Sequence, residues 1–388
     1  MKQRSQRTQG LGTTIFSRMS QLAVATGSVN LGQGFPDTDG PDFIIDAAVE
    51  AMRSGRNQYA PGPGVPELRE AIARHQKRFY DIDIDPATEV AVSAGATEAI
   101  AAAILGLIDP GDEVIVLEPY YDSYVAALGM ADAVRKPVTL HAPDFRLDLD
   151  RLRAAVGPRT TAMLINSPHN PTGMVLNEQE RTAIAEVAVD NDLTVITDEV
   201  YEHLTYDEHR HVPLATLPGM AERTLSISSS GKTFSLTGWK IGWATGPEPL
   251  VQAMLSAKQF MTYTSGAPLQ PAIAKALDSD DDFYAALVTR MQAQRDRLTA
   301  GLSSAGFETY VPEGGYFVTT DIGPLGESDG VEFCLALPER AGVVAVPFQV
   351  FYDDPDTART LVRWAFSKQP HVLDEGIGRL RKTFRPAG

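Results

Sequence analysis

Two lysines, Lys232 and Lys240, share a run of small residues, Ser226–Gly246, SISSSGKTFSLTGWKIGWATG, with Gly238 and Gly242 beside the second of them. Small residues let a ligand approach the backbone closely, and two cations suit an anionic ligand. Lys232 follows a strand-like run, Arg223–Ser228. Gly231-Lys232-Thr233 looks like the end of a phosphate-cradling Gly-x4-Gly-Lys-Thr loop, but the first glycine of that pattern would fall at Ser226. The lysine of such a loop should also open a helix, and Ser235-Leu236-Thr237-Gly238-Trp239 continues a helix poorly. The competing chemistry is a lysine that forms a Schiff base with pyridoxal phosphate, with nearby hydroxyls and Lys240 holding the phosphate. The plain alternative is a solvated surface lysine.

Four other predicted strand exits carry residues of matching chemistry. Leu193–Thr197 runs into Asp198-Glu-Val-Tyr201, where the aspartate could cap a helix, bind a metal or face a ring nitrogen. No His/Asp set at ligand spacing accompanies it, so a metal site is not expected. Thr161–Asn166 exits into Ser167-Pro-His-Asn170-Pro-Thr-Gly173, a rigid turn presenting an amide, although Asn-Pro is ordinary turn chemistry too. Val90–Val92 exits into Ser93-Ala-Gly95-Ala96-Thr97, whose free amides open a predicted helix, Thr97–Ile108, and suit an anion. Glu113–Leu117 exits into Glu118-Pro-Tyr120-Tyr121-Asp122, an aromatic face that could equally be core. One planar, phosphorylated heteroaromatic aldehyde would use all four exits together with Lys232.

The elements that must position these residues are short apolar runs, completed by Ile241–Thr245, alternating with helical patterns of which Thr97–Ile108 and Glu178–Asn191 are the clearest. Continuous apolar strands with crossover helices imply an α/β fold with a mainly parallel sheet covered on both faces, and ligands at the carboxyl ends of its strands. Before that sheet come a helical pattern at Ile15–Ala25, a glycine-rich strand exit at 30–37, and helices at Phe43–Arg53 and Pro66–Tyr80 around a loop at 57–64. After Asp278-Ser-Asp-Asp-Asp282 the pattern changes to a long helix, Phe283–Ser304, then Phe307–Tyr310, Tyr316–Thr320, a helix near Gly330–Glu339, Val343–Val346, Leu361–Phe366 and a closing helix, Val372–Phe384. The division expected is an N-terminal arm over 1–40 that packs with the small domain, a large domain over 41–277 and a smaller α+β domain over 278–388.

The 388 residues carry a net charge of -16, which disfavours nonspecific binding to nucleic acid or an anionic membrane. Any anionic ligand must therefore be held by a local cluster of cations and amides. The one cysteine, Cys334, excludes an internal disulfide and fits a reducing, cytoplasmic setting. No apolar run approaches a transmembrane span, and MKQRSQRTQG lacks the apolar core of a signal peptide.

In their order along the chain, NLGQGFPD, NQYAPGPG, AGATEAI, EPYYDSY, SPHNPTG, ITDEVYEHL, SSSGKTFSLTGWKIGW and VRWAF resemble fold-type I PLP aminotransferases of the aspartate-aminotransferase superfamily. The subgroup resembled contains N-succinyldiaminopimelate, kynurenine/glutamine and methionine aminotransferases, the first of these most. The resemblance implies a seven-stranded-type, mainly parallel sheet between helices, and a ping-pong reaction that moves an amino group from an amino-acid donor to a 2-oxo acid such as 2-oxoglutarate. It makes Lys232 the Schiff-base lysine and proton carrier, Asp198 the partner of the ring nitrogen, and Asn170 and Tyr201 the contacts of its phenolic oxygen. Tyr121 becomes the stacking aromatic, with Tyr120 the nearby alternative. Ala96, Thr97, Ser229 and Lys240 become phosphate contacts, joined by Tyr59 from the other subunit of a homodimer. Arg363 would grip the substrate α-carboxylate as a planar fork, with Gly34 where the backbone approaches the substrate.

Two positions depart from the resemblance: Gln349, where a small residue is usual, and Phe16, where kynurenine enzymes carry tryptophan. Both are expected in the side-chain pocket with Tyr263 and Phe348. Glutamine, methionine and kynurenine suit such a neutral, aromatic pocket, whereas the motifs favour N-succinyl-diaminopimelate. A C–S lyase acting on cysteine conjugates is a rival on the same fold. A PLP-sensing regulator would need a basic DNA-binding module, and the sequence supplies none.

Overall fold

A computed structural model of the chain describes Ser5, Arg7, Gly12 and residues 14–384. The reading of residues 1–10 as free of a signal-peptide core falls largely outside them. The apolar runs form a seven-stranded sheet ordered Val90–Ser93, Gly242–Thr245, Thr224–Ser229, Thr194–Asp198, Thr160–Asn166, Glu113–Glu118, Val134–Thr139. Only Gly242–Thr245 runs antiparallel to its neighbours; the other pairings are parallel. Parallel strands need crossovers, and helices such as Ala96–Leu107, Asp122–Met130 and Glu178–Asp190 supply them. The inner strands are buried along nearly their whole length, which is why they read as unbroken apolar runs. Each fully buried Val, Ile or Leu there contributes about 1.5–3 kcal/mol.

The strand Val134–Thr139 is absent from the sequence reading, and its position gives the reason. It is an edge strand, paired only with Glu113–Glu118, and its residues V-R-K-P-V-T are mostly half-exposed. Unlike the other edge strand, Val90–Ser93, which is buried throughout, this one faces solvent, and an open edge tolerates Pro137 and charged residues. Helices Asp122–Met130, Leu149–Ala154, Glu248–Lys258 and Gln270–Leu277 were likewise not anticipated.

A four-stranded antiparallel sheet follows, ordered Val346–Pro347, Leu361–Ala365, Phe317–Asp321, Glu308–Tyr310. The run expected as one strand, Val343–Val346, divides in two. Val343–Val344 pairs in parallel with Val29–Asn30, while Val346–Pro347 joins the four-stranded sheet. The N-terminal helix Ile15–Thr26 starts at Thr14, whose hydroxyl accepts from Ser17 N at 3.2 Å, and ends at left-handed Gly27. Its Met19 and Ala23, with Val29 and Leu31, share one core cluster with Phe317, Trp364, Leu337 and Tyr201. That cluster sets the N-terminal segment against the four-stranded sheet and beside the exit of strand Thr194–Asp198. Among the described residues no helix is long and apolar enough to cross a membrane.

Candidate active site

At the carboxyl ends of the parallel strands lies a cavity of about 430 Å³, where an α/β sheet places its ligands. Lys232, Asp198, Tyr201, Asn170, Ala96, Thr97, Tyr121, Ser229, Lys240, Gly34, Phe16 and Arg363 all line it. Residues from both ends of the chain thus meet in one space.

Strand Thr194–Asp198 extends one residue beyond the predicted run, so Asp198 is its last residue and is buried. Tyr124 donates its hydroxyl to Asp198 Oδ2 at 2.6 Å, and Val200 N donates to Oδ1 at 3.3 Å. Burial raises the Asp198 carboxyl above the ordinary aspartate range, against the opposing pull of the Tyr124 hydrogen bond and the Lys232 charge. A carboxylate so placed gains from a cationic N–H more than a solvated one does.

Lys232 sits in a four-residue helix, Ser230–Thr233, immediately after strand Thr224–Ser229. Its Nζ lies 5.9 Å from the Tyr201 ring centroid and 5.7 Å from that of Tyr316. The two rings meet edge to face, 5.0 Å apart. Tyr201 is buried, and burial lifts its phenol well above the usual tyrosine range even with Lys232 and Arg363 pulling the other way. It is therefore a neutral hydroxyl that donates a hydrogen bond.

Lys240 adopts left-handed backbone (φ 54°), and its Nζ lies 3.0 Å from the point where a side chain on Gly95 would begin. Gly95 precedes helix Ala96–Leu107, so the ammonium stands over the free amides of that helix start. A Cβ on Gly242 would fall 2.6 Å from Ala96 N, which is why the neighbouring strand needs glycine there. Desolvation and the Lys232 charge lower the Lys240 ammonium from the usual lysine value. Two mutually repelling cations and a helix N-terminus make a place for a dianion.

Opposite, Arg363 is 1% exposed, in strand Leu361–Ala365. Its guanidinium donates to Asn170 Oδ1 at 3.0 Å and to Gly32 O at 3.2 Å, both neutral oxygens. It lies 3.9 Å from the Phe317 ring centroid and 5.0 Å from those of Phe16 and Phe351. Its Nε has no hydrogen-bond partner among the described residues. No carboxylate there is within ion-pair distance of it, although Asp122 on the cavity lining acts on it through space. Burial pulls its pKa down to about 10. A buried guanidinium held by neutral groups is costly until an anion joins it. Gly34 approaches from the N-terminal segment: its carbonyl accepts from Tyr316 at 2.7 Å, and any side chain there would strike the Phe317 ring at 2.5 Å.

Not every expected position is in this space. Tyr120 turns into the core beside Asp353 instead of the cavity, leaving Tyr121 as the exposed aromatic face. Gln349 does not face the cavity as expected: its Oε1 accepts from Val331 N at 2.9 Å, at the start of helix Gly330–Ala341. That helix start has free amides to satisfy, and the glutamine amide does so alongside Asp329. Phe348 is buried against Phe145 and Phe351, outside the cavity lining. Tyr263 also lies outside it, 48% exposed, in a left-handed turn whose carbonyl is held by Lys258 Nζ at 2.6 Å. Its ring meets that of Tyr59, which is 84% exposed, at 5.7 Å. Of the four expected pocket residues, only Phe16 faces the cavity.

Three participants were missed. Asn166, the last residue of its strand and in register with Asp198, donates to Asp198 O at 2.8 Å and accepts from Asn170 N at 2.7 Å. Tyr124 lies in the unanticipated helix Asp122–Met130, and Tyr316 ties Gly34 to Tyr201. Asn166 was legible as the polar end of an apolar run. The other two reach the site only through tertiary packing.

Over residues 26–380 the chain matches the family described as Aminotransferase class I and II. It is 54% identical over 379 residues to a probable N-succinyldiaminopimelate aminotransferase of Mycobacterium tuberculosis, covering 95% of each chain. It is 38% identical to the methionine aminotransferase of Escherichia coli, covering 96% of each. The solved structure of N-succinyldiaminopimelate aminotransferase from Mycobacterium tuberculosis superposes with a TM-score of 0.96 at 53% identity, over 98% of this chain and all of that one. With its strand-end lysine and aspartate facing a buried arginine across one cavity, the chain belongs to the class I and II aminotransferases.

Proposed function

We propose that this aminotransferase works with pyridoxal phosphate and that N-succinyl-diaminopimelate is its best donor, with 2-oxoglutarate as acceptor. The residues present fit the cofactor. The buried carboxylate of Asp198 suits a pyridinium N–H, and Asn170 and Tyr201 suit the ring's phenolic oxygen. Tyr121 offers a stacking face; Lys240, Ser229, Ala96 and Thr97 suit a phosphate, and Lys232 the aldehyde carbon. When bound, pyridoxal phosphate supplies a conjugated ring that delocalises the electron pair left at the donor's Cα. The chain's own part is positional and protic. Arg363 would fix the α-carboxylate, Lys232 Nζ would take the proton from Cα and give it to the cofactor's former aldehyde carbon, and the aromatic walls limit water. The observation that carries this reading is the buried Arg363, in no ion pair among the described residues, facing the same cavity as Lys232 and Asp198.

The substrate assignment rests on identity to the mycobacterial relative, because the cavity walls show no dedicated cation for a distal succinyl group. Initial rates across a panel of N-succinyl-diaminopimelate, methionine, glutamine, kynurenine and aspartate with 2-oxoglutarate test it. The succinylated donor should have the highest kcat/KM; aspartate as the sole donor accepted would overturn the assignment. Release of pyruvate and thiol from a cysteine conjugate without acceptor would favour the lyase reading. We further infer a cytoplasmic homodimer and the three-part division at 1–40, 41–277 and 278–388. The exposed pair Tyr59 and Tyr263, next to exposed Phe260 and Met261, supports a partner surface through which Tyr59 reaches the neighbouring phosphate site. A monomer by sedimentation at micromolar concentration would exclude the shared site.

A further inference from the structure

The cavity holds one charge that the proposed reaction leaves unassigned. Among the described residues its lining carries three cations, Lys232, Lys240 and Arg363, and two acids, Asp198 and Asp122. On the reading above, Asp198 answers a pyridinium N–H, Lys240 a phosphate and Lys232 the aldehyde carbon. Arg363 and Asp122 remain, and the α-carboxylate of any donor takes Arg363.

Asp122 is the first residue of helix Asp122–Met130, directly after the stacking face of Tyr121. An acid in the first turn suits the free amides of a helix start, and the Ser123 amide donates to this one. A solvated side chain would fill that role as well, yet Asp122 is half-buried on the cavity wall. Burial raises its carboxyl above the ordinary aspartate range, while the Ser123 amide and the Arg363 charge pull it back. No cation lies within ion-pair distance of it among the described residues, and Arg363 acts on it only through space. Once a donor's α-carboxylate has neutralised that guanidinium, the Asp122 carboxylate is left facing the rest of the donor. A half-desolvated charge of this kind favours a hydrogen-bond donor beside it and opposes a second anion.

We propose that Asp122 selects substrates by the charge of their side chain, favouring those that offer an N–H and disfavouring those that end in a nearby carboxylate. The proposal rests on the aminotransferase reading but not on which donor is best. The amide of glutamine or the amine of kynurenine meets Asp122 as a hydrogen-bond donor; the side-chain carboxylate of aspartate or glutamate meets it as a like charge. A succinylated donor carries an amide N–H as well as further carboxylates, and Asp122 favours the orientation that turns the amide inward. 2-Oxoglutarate bears the same penalty as glutamate, so Asp122 raises its KM.

Glutarate and pentanoate are suitable probes, because they have the same chain length, differ only at the distal end and do not transaminate. Calorimetric titration of the holoenzyme should show pentanoate bound more tightly than glutarate. Asp122→Asn should shift the ratio of the two dissociation constants toward glutarate by about tenfold or more. Asp122→Glu, which keeps the charge, should keep pentanoate ahead. The KM for 2-oxoglutarate should fall in the asparagine variant by a similar factor. A wild type that prefers glutarate, an unchanged ratio in Asp122→Asn, or the same shift in both variants would each overturn the proposal and leave Asp122 as a helix-start acid alone. Binding of acids that do not react is independent of turnover. A lack of transamination would therefore count against the proposed reaction and not against this result.

Discussion

The cavity has two walls built on different principles. One stands on the ends of parallel strands: Asp198 and Ser229 are the last residues of theirs, Lys232 lies in the short helix that follows Ser229, and Ala96 opens the crossover helix. The other is assembled from chain segments far apart in sequence, with Phe16 and Gly34 at one end and Phe317 and Arg363 at the other. Strand ends are placed by a hydrogen-bonded ladder, so a group there is fixed to within a rotamer. In the second wall Phe317 and Arg363 sit in the ladder of the four-stranded sheet, but the N-terminal segment joins them through side-chain packing and single bonds, such as Tyr316 to Gly34 and Arg363 to Gly32. On the proposed reading, the strand-end wall carries the bond chemistry common to every donor. On the same reading, the assembled wall decides which acid is gripped and what side chain fits.

Substitutions should separate the walls. Lys232→Ala is the strongest: transamination should be lost, and borohydride treatment followed by denaturation should leave no cofactor attached to the chain. Attachment in that variant would move the covalent role elsewhere. Asp198→Asn should slow half-transamination by roughly two or more orders of magnitude, several kcal/mol of transition-state stabilisation. Stopped-flow rates near wild type would reduce Asp198 to a structural carboxylate. On the opposite wall, Arg363→Lys should raise KM about tenfold or more for all donors, since a point charge cannot replace the planar fork. The ranking of donors should stay the same. A reordered panel would place that arginine at the side-chain end and erase the division between the walls.

The smallest effect concerns what stands behind the strand-end wall. Glu202 is buried, accepts from Tyr80 at 2.7 Å and Ser228 at 2.5 Å, and burial pushes its pKa up from 4.5 to about 7. The folded state holds this proton more tightly than the unfolded one. The stability it lends is therefore full below about pH 4.5 and lost as pH rises through 7. Glu202→Gln should remove that slope, gaining at most a few kcal/mol at pH 8 relative to pH 5. Melting curves of both proteins at those two pH values measure it; parallel curves would mean that Glu202 titrates normally.

The two walls also differed in how far they could be read from residues alone. Strand-end groups are announced by an apolar run stopping at a polar residue, and Asp198, Lys232 and Asn170 stood out for that reason. The parallel sheet was legible from the same runs, except at its solvent-facing edge, where Val134–Thr139 is too exposed to be apolar. Arg363 and Gly34 were found through motif resemblance, not pattern. Gln349 shows where that route ends: this glutamine next to a pocket motif serves a helix start, and only the placement of Gly330–Ala341 decides it. Tyr124 and Tyr316 lie within stretches that look like ordinary aromatic core. Their roles depend on which side chain lies across from them, and periodicity carries no such information.

The buried guanidinium of Arg363 has a bearing on the protein's endurance as well as its reaction. A cation kept from water by Phe16, Phe317 and Phe351, hydrogen-bonded to two neutral oxygens and only partly offset through space by Asp122, is a standing electrostatic load on the folded state. Whatever carboxylate enters relieves that load, and it binds the folded chain alone. Mass action then makes the acid a folding ligand, worth about 2.7 kcal/mol when present at a hundred times its dissociation constant. The enzyme should therefore last longest in a cell rich in its own acceptor and weaken toward heat and proteolysis when that acceptor runs low. Its half-life would then follow the nitrogen economy it serves.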